Sequence, residues 1–584
     1  MLTPGLMVRV IAVWMLVAGL AFYRARGAIP ALAFNDPDDA LRLLQVRNLI
    51  GGQGWFDLRM HAIDPPLGVP MHWSRLVDVP IAALILLLRP LFGQGLAEQA
   101  ALAAVPALTL LAAMTLTATL AKRLAGDAPA LIASLLWLLA FAVLPQFAPL
   151  RIDHHAWQIV ALLAAANAAF LPDPRKSGWL AGAAIAAGLA ISLELLPYAA
   201  LFAALFGLRA MRDPARRAGL VALLDALAGS SAVLFLATRG PDPVPWCDIA
   251  SWPYVAALAL AALVVRIGQR RAIRPLGVMV LLGLTGIATA AVFLALAPQC
   301  NRGPFAALDP LVYSVWYANV LEGLPVWRQP LVMAVQFTVP PLVALGCCAF
   351  LWRKRDNAER GRDWAEFALL VGGFWAVSLV VSRAGAAAGA LSIVPVAAAV
   401  RLLLQRIEAV RPATLRVPLL AALLAALLPG FTVLLAQQAI PALAPAANSD
   451  ANGVKDKCGL PGSLETLAGL PHATLFAPMD LGPAILLHTD HSVVATGHHR
   501  ASAAMHDLIA AFMGSDAEAR RLVTAHGARY VLSCADLSEA TVYRDKAPRG
   551  LMARLLAGKP PQWLRAVPTG PEAASLRVWE VMGR

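Results

Sequence analysis

Apolar runs of about 20 residues recur along nearly the whole chain, and they limit its fold more than any other feature. The first covers residues 7–23, and others lie at 100–120, 127–147, 156–172, 178–193, 196–210 and 218–237. Further runs lie at 253–268, 275–297, 331–352, 364–382, 388–404 and 415–437. A helix of that length crosses a hydrocarbon core because it satisfies its own backbone hydrogen bonds, which an open strand cannot do. The sequence therefore reads as a polytopic α-helical membrane protein with about thirteen transmembrane helices. Only 14% of the 584 residues are charged, against about 25% in soluble domains. The net charge of +13 does not point to nucleic acid. Its Arg and Lys residues cluster in short loops at alternate ends of the apolar runs, as membrane orientation requires.

Those clusters set the topology. Lys122-Arg123, Arg175-Lys176, Arg209 to Arg217, Arg266 to Arg274, Arg353 to Arg362 and Arg401 to Arg411 are assigned to the cytoplasm. The first run lacks a small-residue cleavage site and reads as a span with a cytoplasmic N-terminus rather than a signal peptide. A long external loop, residues 24–98, follows it. Within that loop "VPIAALILLLRPLFG" is short for a span and reads as an interfacial helix. Residues 1–438 then form the membrane domain. Residues 439–584 alternate short β-prone runs with turn residues, and a helix pair leads into "ARYVLSC". They read as a small α/β domain outside the cytoplasm. High Ala, Leu and Arg usage suggests a bacterial inner membrane with this domain in the periplasm.

Cys247 and Cys300 fall in consecutive external loops, and Cys458 and Cys534 both fall in the C-terminal region. Two disulfides in an oxidising compartment account for all four. Polar residues with chemical potential also gather on the external side. Asp36 and Asp39 lie in "FNDPDDALR", Asp153, His154 and His155 in "RIDHHAWQ", and Glu322 in "ANVLEGLP". Each alone reads equally well as a helix cap or a solvated loop residue. Together, carboxylates and imidazole on one membrane face can hold a divalent metal. His61, Asp64, His72, Trp73 and Arg75 in the first loop, and Glu194, are further residues able to reach a cleft there. The stretch "TDHSVVATGHHR" concentrates His488, His491, His498, His499 and Arg500. It lacks cysteines at zinc spacing and reads as a polar surface toward the cleft.

These motifs resemble the catalytic subunit of oligosaccharyltransferase, within the C-type membrane glycosyltransferases. "FNDPDDALR" is similar to the Asp-Pro stretch of that family's first external loop, and "DHH" to its second Asp-x-His or Asp-x-Asp motif. "LDPLVYSVWYANVLEGLP" resembles the loop carrying its Ser/Thr-x-x-Glu motif, with Asn319 in place of Ser or Thr. "VSRAG" places Arg383 where the family contacts the donor phosphate. The resemblance implies a C-type glycosyltransferase fold, a polyprenyl-phosphate- or diphosphate-linked sugar donor, and Mg²⁺ or Mn²⁺. Asp36, Asp153, His155 and Glu322 would surround the metal, and Asp36 and Glu322 would also act in catalysis near the acceptor. Arg383 would bind the donor phosphate through its planar fork; the alternative is an interfacial anchor. The family's Trp-Trp-Asp-Tyr-Gly acceptor motif is missing. "FAPMDLGPAI" keeps only Asp480 and Gly482 of it. Asp39, His154, Asp480 and Arg500 are therefore assigned to the cleft or acceptor side. The acceptor itself stays open among protein, glycolipid and glycan.

The expected function is transfer of a sugar or oligosaccharide from a polyprenyl-linked donor, at the bilayer surface, to a periplasmic acceptor. Two other readings are a flippase for lipid-linked glycans and a non-catalytic scaffold. A transporter would carry ionisable residues deep in its spans, where this chain has little beyond Asp225.

Overall fold

A computed structural model describes residues 2–583 except 272–273, 306–307, 355–357, 440–457 and 571–574. The expected division at residues 438 and 439 thus adjoins a stretch outside the described residues, as do parts of two of the basic clusters.

The helices run in chain order. They are α1 (Pro4–Ala25), α2 (Pro37–Ile50), α3 (Arg75–Ala125), α4 (Asp127–Leu136), α5 (His155–Ala169), α6 (Pro174–Ile191), α7 (Leu196–Arg212) and α8 (Arg217–Arg239). Next come α9 (Trp252–Gly268), α10 (Pro275–Leu296), the short α11 (Pro310–Val315), α12 (Leu331–Arg353), α13 (Ala358–Val380), α14 (Gly385–Glu408), α15 (Ala413–Leu427) and α16 (Pro429–Ala439). Among the described residues, eight helices are long and apolar enough to cross a membrane, and three further apolar helices are shorter. The protein is thus a polytopic helical membrane protein.

The expected elements shift where glycine or proline intervenes. Gly93, at φ 76°, kinks α3, so the stretch expected to be interfacial runs directly into the next span. The run at 127–147 stays α-helical only to Leu136 and then passes into 3-10 turns around Pro145. The run at 415–437 breaks at Leu428, before Pro429. Small residues let the helices approach. A Cβ added to Gly178 of α6 would lie 2.1 Å from the Gly219 carbonyl oxygen of α8, as in membrane packing through spaced glycines. Inside the bundle Arg209 of α7 pairs with Glu366 of α13 at 2.8 Å, and at its surface Asp225 of α8 pairs with Arg266 of α9.

The C-terminal residues build a five-stranded mixed sheet. Between α2 and α3, Arg59–Met60 (β1) pairs antiparallel with Val69–Pro70 (β2). The later strands are β3 (Thr474–Phe476), β4 (Ser492–Val493), β5 (Tyr530–Cys534), β6 (Leu564–Val567) and β7 (Leu576–Val581), in spatial order β4-β3-β5-β7-β6. Helices α17 (Pro461–Ala468), α18 (Gly482–His488), α19 (Ser502–Met513), α20 (Asp516–Ala525), α21 (Ser538–Lys546) and α22 (Leu551–Leu556) fill the intervals.

This unit does not stand alone. Leu41, Met60, Ile63, Met71 and Trp73 share one buried cluster with Phe476, Val493, Phe512 and Val531. Ile63 bridges Val493 in parallel, which extends the sheet with the segment between α2 and α3. Asp309, of the Leu-Asp-Pro segment, caps α11 and pairs with His506 of α19 at 2.8 Å. Disulfides join Cys247 to Cys300 and Cys458 to Cys534.

Candidate active site

The first acidic motif opens α2. Pro37 sits in its first turn, and Asp36 caps it by accepting the Asp38 N–H at 2.9 Å. The other Asp36 oxygen pairs with Arg151. Asp39, 2% exposed, accepts the backbone N–H groups of Ile152 and Asp153 at 2.8 Å each and Arg151 Nη1 at 2.9 Å. Asp39 therefore clamps the segment before α5 onto the start of α2. Burial pushes its carboxyl up to about 7, with Arg151 opposing and Asp36 and Asp153 adding to the rise. Burial also raises Asp38, reinforced by repulsion from Asp36, Asp153, Glu322 and Asp39.

The second motif leads into α5. Asp153 Oδ1 accepts His154 Nδ1 at 2.5 Å and Arg42 Nη2 at 3.3 Å. Arg42 is fully buried and also donates to Asp78 at 3.0 Å. Burial works to raise the Asp153 carboxyl, but His154, His155 and Arg42 outweigh it and hold it well below the usual range. Its Oδ2 is buried, has no hydrogen bond and lies 3.4 Å from His155 Nε2.

From His155 a polar chain crosses the cavity. His155 Nδ1 lies 3.3 Å from Gln158 Oε1, and Gln158 donates to Glu194 at 3.1 Å. Arg383 then lies 2.8 Å from Glu194 and 3.2 Å from Glu322. Ser382 fixes the loop carrying Glu322 to the start of α14 by donating to the Glu322 carbonyl at 3.0 Å. Asp38, His154, His155, Glu194, Glu322 and Arg383 all line one cavity of about 360 Å³, within the range of ligand sites. A smaller cavity among α4, α12 and α14 is almost wholly apolar and offers no such chemistry.

Of the residues singled out from sequence, His154, His155, Glu194, Glu322 and Arg383 line this cavity, and Asp153 lies buried against His154 and His155. Asp36 and Asp39 lie beside it, engaged with Arg151 and backbone; Asp38 is the member of that motif on the cavity wall. Sequence reasoning assigned no role to Asp38, Gln158 or Arg151. The Asp38 position, two residues into a capped helix, was its only signal. Asp480 is exposed and off the cavity wall. Arg500 forms two 2.8 Å contacts with Asp248 and stacks over Trp246.

The remaining loop residues divide similarly. Among the first-loop candidates only His72 lines the cavity. His61 is exposed beside Asp57, Asp64 pairs with His526, and Trp73 and Arg75 are buried under the loop. His491 is buried on the Leu467 carbonyl, away from His498 and His499. His498 and His499 meet His72 on the cavity wall instead. Burial, with the neighbouring imidazoles, holds His72 and His498 well below their ordinary value.

The donor set fits a divalent ion. Asp153, His154 and His155 each offer a ligand atom within 4.8 Å of the others. Asp153 Oδ2 is an orphaned buried acceptor, and Asp38 places a further carboxyl on the adjoining cavity wall.

No family model and no curated protein matches the sequence. Solved structures do. The archaeal oligosaccharyltransferase AglB from Archaeoglobus fulgidus, in complex with an inhibitory peptide and a dolichol-phosphate, superimposes with a TM-score of 0.64 at 14% identity. That match covers 92% of this chain and 71% of AglB. The same oligosaccharyltransferase tethered to an acceptor peptide containing the NVT sequon matches with a TM-score of 0.59 at 13% identity. It covers 93% of this chain and 72% of the other. The form with Zn and sulfate matches with a TM-score of 0.55 at 15% identity, covering 93% and 71%. At such identity the likeness establishes a fold shared with these oligosaccharyltransferase structures.

Proposed function

We propose that the protein is a membrane glycosyltransferase that moves a sugar or oligosaccharide from a polyprenyl-phosphate-linked donor to an acceptor in the periplasm. The observation that carries this reading is the convergence of Asp38, His154, His155, Glu194, Glu322 and Arg383 on one cavity within this fold, with Asp153 buried against the two histidines. Fold alone does not assign function, so the argument rests on that site.

The chain would cross a bacterial inner membrane about thirteen times, with its N-terminus cytoplasmic and the sheet of residues 458–581 in the periplasm. The two disulfides support an oxidising compartment for the cavity side.

Asp153 and His155, with Glu322 and a carboxylate of the first motif, would hold Mg²⁺ or Mn²⁺. When bound, such an ion neutralises charge developing on the leaving phosphate. Arg383 faces Glu194 and Glu322, and its planar fork suits a phosphate that displaces one of them. The acceptor nucleophile attacks the anomeric carbon, the bond from that carbon to the phosphate oxygen breaks, and polyprenyl phosphate or diphosphate leaves. Asp38 lines the cavity wall and would accept the acceptor proton. His154 positions Asp153, and Asp39 positions the whole 151–153 segment. The AglB structures contain a dolichol-phosphate and an acceptor peptide. A lipid-linked donor carries over as part of this proposal. A peptide acceptor is less favoured, because "FAPMD" lacks the family's tryptophans.

Flippase action is less favoured because Asp225, the main ionisable residue expected within a span, is ion-paired with Arg266 and lies off the cavity. The experiment that separates the two uses purified protein in liposomes with lipid-linked sugars extracted from a deletion strain. Release of free polyprenyl phosphate or diphosphate, abolished by chelator and by Asp153→Asn, supports transfer. Movement of intact sugar-lipid between leaflets without cleavage overturns it.

A further inference from the structure

We propose that His72, His498 and His499 form a second metal site, distinct from the Asp153 cluster, for a zinc-type divalent ion. The three imidazoles come from two segments 426 residues apart, one in the first external loop and one between β4 and α19. Their ligand atoms all lie within 4.8 Å of one another. His72 Nδ1 and His498 Nε2 are 2.8 Å apart. Ring centroids lie 4.9 Å apart for His72 with either partner and 5.0 Å apart for His498 with His499.

Two imidazoles from distant segments are packed together here, with His498 2% exposed and one proton shared between His72 Nδ1 and His498 Nε2. An ion in place of the proton shared by His72 and His498 would take a lone pair from each. His499 completes the set. Its Nε2 is held by Asp248 Oδ2 at 2.6 Å, leaving Nδ1 to ligate. A carboxylate behind an imidazole is the usual support of a metal-ligating histidine, since it fixes the tautomer and raises basicity. Asp248 is itself held by Arg500 at 2.8 Å and follows the disulfide-bonded Cys247.

The chemistry selects among ligands. Imidazole donors suit zinc, copper or nickel rather than magnesium or calcium, which prefer oxygen. An anion is less well served. Arg500 is already paired with Asp248, and Arg239 donates to the His72 carbonyl. All three histidines line the cavity, so three protein ligands leave a fourth position facing it, as in open zinc sites. The ion would also join the C-terminal sheet to the first external loop. This inference stands whether or not the transferase reading does.

The test uses full-length protein in detergent, stripped of metal, in an Asp153→Asn/His155→Ala background that disables the other cluster. Titration with Co²⁺ is expected to bind one equivalent, giving the strong visible bands of a tetrahedral nitrogen-ligated ion, which Zn²⁺ then displaces. His72→Ala and His498→Ala should abolish those bands, and Asp248→Asn should weaken affinity about 10- to 100-fold. His499→Cys should keep one equivalent and add a thiolate-to-cobalt charge-transfer band, which decides the matter if an alanine variant fails to fold. No tetrahedral bands in the double-variant background, bands that survive His498→Ala, or no charge-transfer band in His499→Cys would each overturn the proposal.

Discussion

Replacing Asp39 separates a clamp from an acceptor-binding residue. The carboxylate holds three donors at 2.8–2.9 Å: two backbone N–H groups and the Arg151 guanidinium. Asp39→Ala leaves two buried N–H groups unsatisfied and Arg151 only half paired, because Asp36 still reaches it. At roughly 1–3 kcal/mol per orphaned buried group, the loss is about 3–5 kcal/mol, comparable to breaking a buried ion pair. Asp39→Asn keeps one oxygen for the N–H pair and turns an amide NH₂ toward Arg151. It loses one charge-assisted bond, about 1.5–3 kcal/mol. The freed 151–153 segment carries Asp153, and a displacement of about 1 Å there is expected to reduce turnover on the order of 10²-fold. The assays are thermal unfolding in detergent and donor cleavage at saturating metal. The clamp predicts that both variants lower melting temperature and kcat, with Ala worse than Asn. A raised KM at unchanged melting temperature and kcat would mean that Asp39 meets the acceptor directly, and the reasoning would be refuted.

Arg383→Lys keeps charge but loses the fork; it is expected to reduce kcat/KM by about 10- to 100-fold, the value of one charge-assisted hydrogen bond, as initial rates would show. Desolvation of the half-buried Glu539, with repulsion from Asp480, pushes its carboxyl up to about 8. A raised folded value means the folded state binds the extra proton, so this stability is complete below the unfolded value of about 4.3 and lost as pH rises through about 8. Melting temperature should therefore fall over that window, and the slope should flatten in Glu539→Gln. Reduction of the Cys247–Cys300 bond, which spans 53 residues, should destabilise the loops it joins by about 4 kcal/mol on chain-entropy grounds. Unchanged thermal unfolding in Cys247→Ser/Cys300→Ser would contradict this.

Much of the architecture was legible because membrane helices declare themselves by length and apolarity. The pair α19–α20 leading into Tyr530–Cys534 was equally plain from its pattern. The breaks were not. Gly93 joins an interfacial stretch to a span instead of ending it, and the stretch after Leu136 unwinds before its apolar run ends. The clustering of Asp153, His155, Glu322 and Arg383 followed from shared sidedness. What sequence could not supply was the partner of each charge. The Arg151 contacts that occupy Asp36 and Asp39, like the meeting of His72 with His498 and His499, join residues more than a hundred positions apart. The division at residue 439 followed composition, whereas the shared core of Met60, Ile63 and Val493 follows packing across it.

The most direct test of metal-dependent glycosyl transfer at this cavity is a mass comparison of envelope glycolipids, polysaccharides and glycopeptides. It compares the wild type, a deletion strain, and the deletion complemented with wild-type, Asp153→Asn or Glu322→Gln protein at matched expression. The account predicts that one defined sugar mass disappears from one acceptor class in the deletion and in both variants, and returns only with the wild-type protein. Full restoration by Asp153→Asn and Glu322→Gln would contradict it.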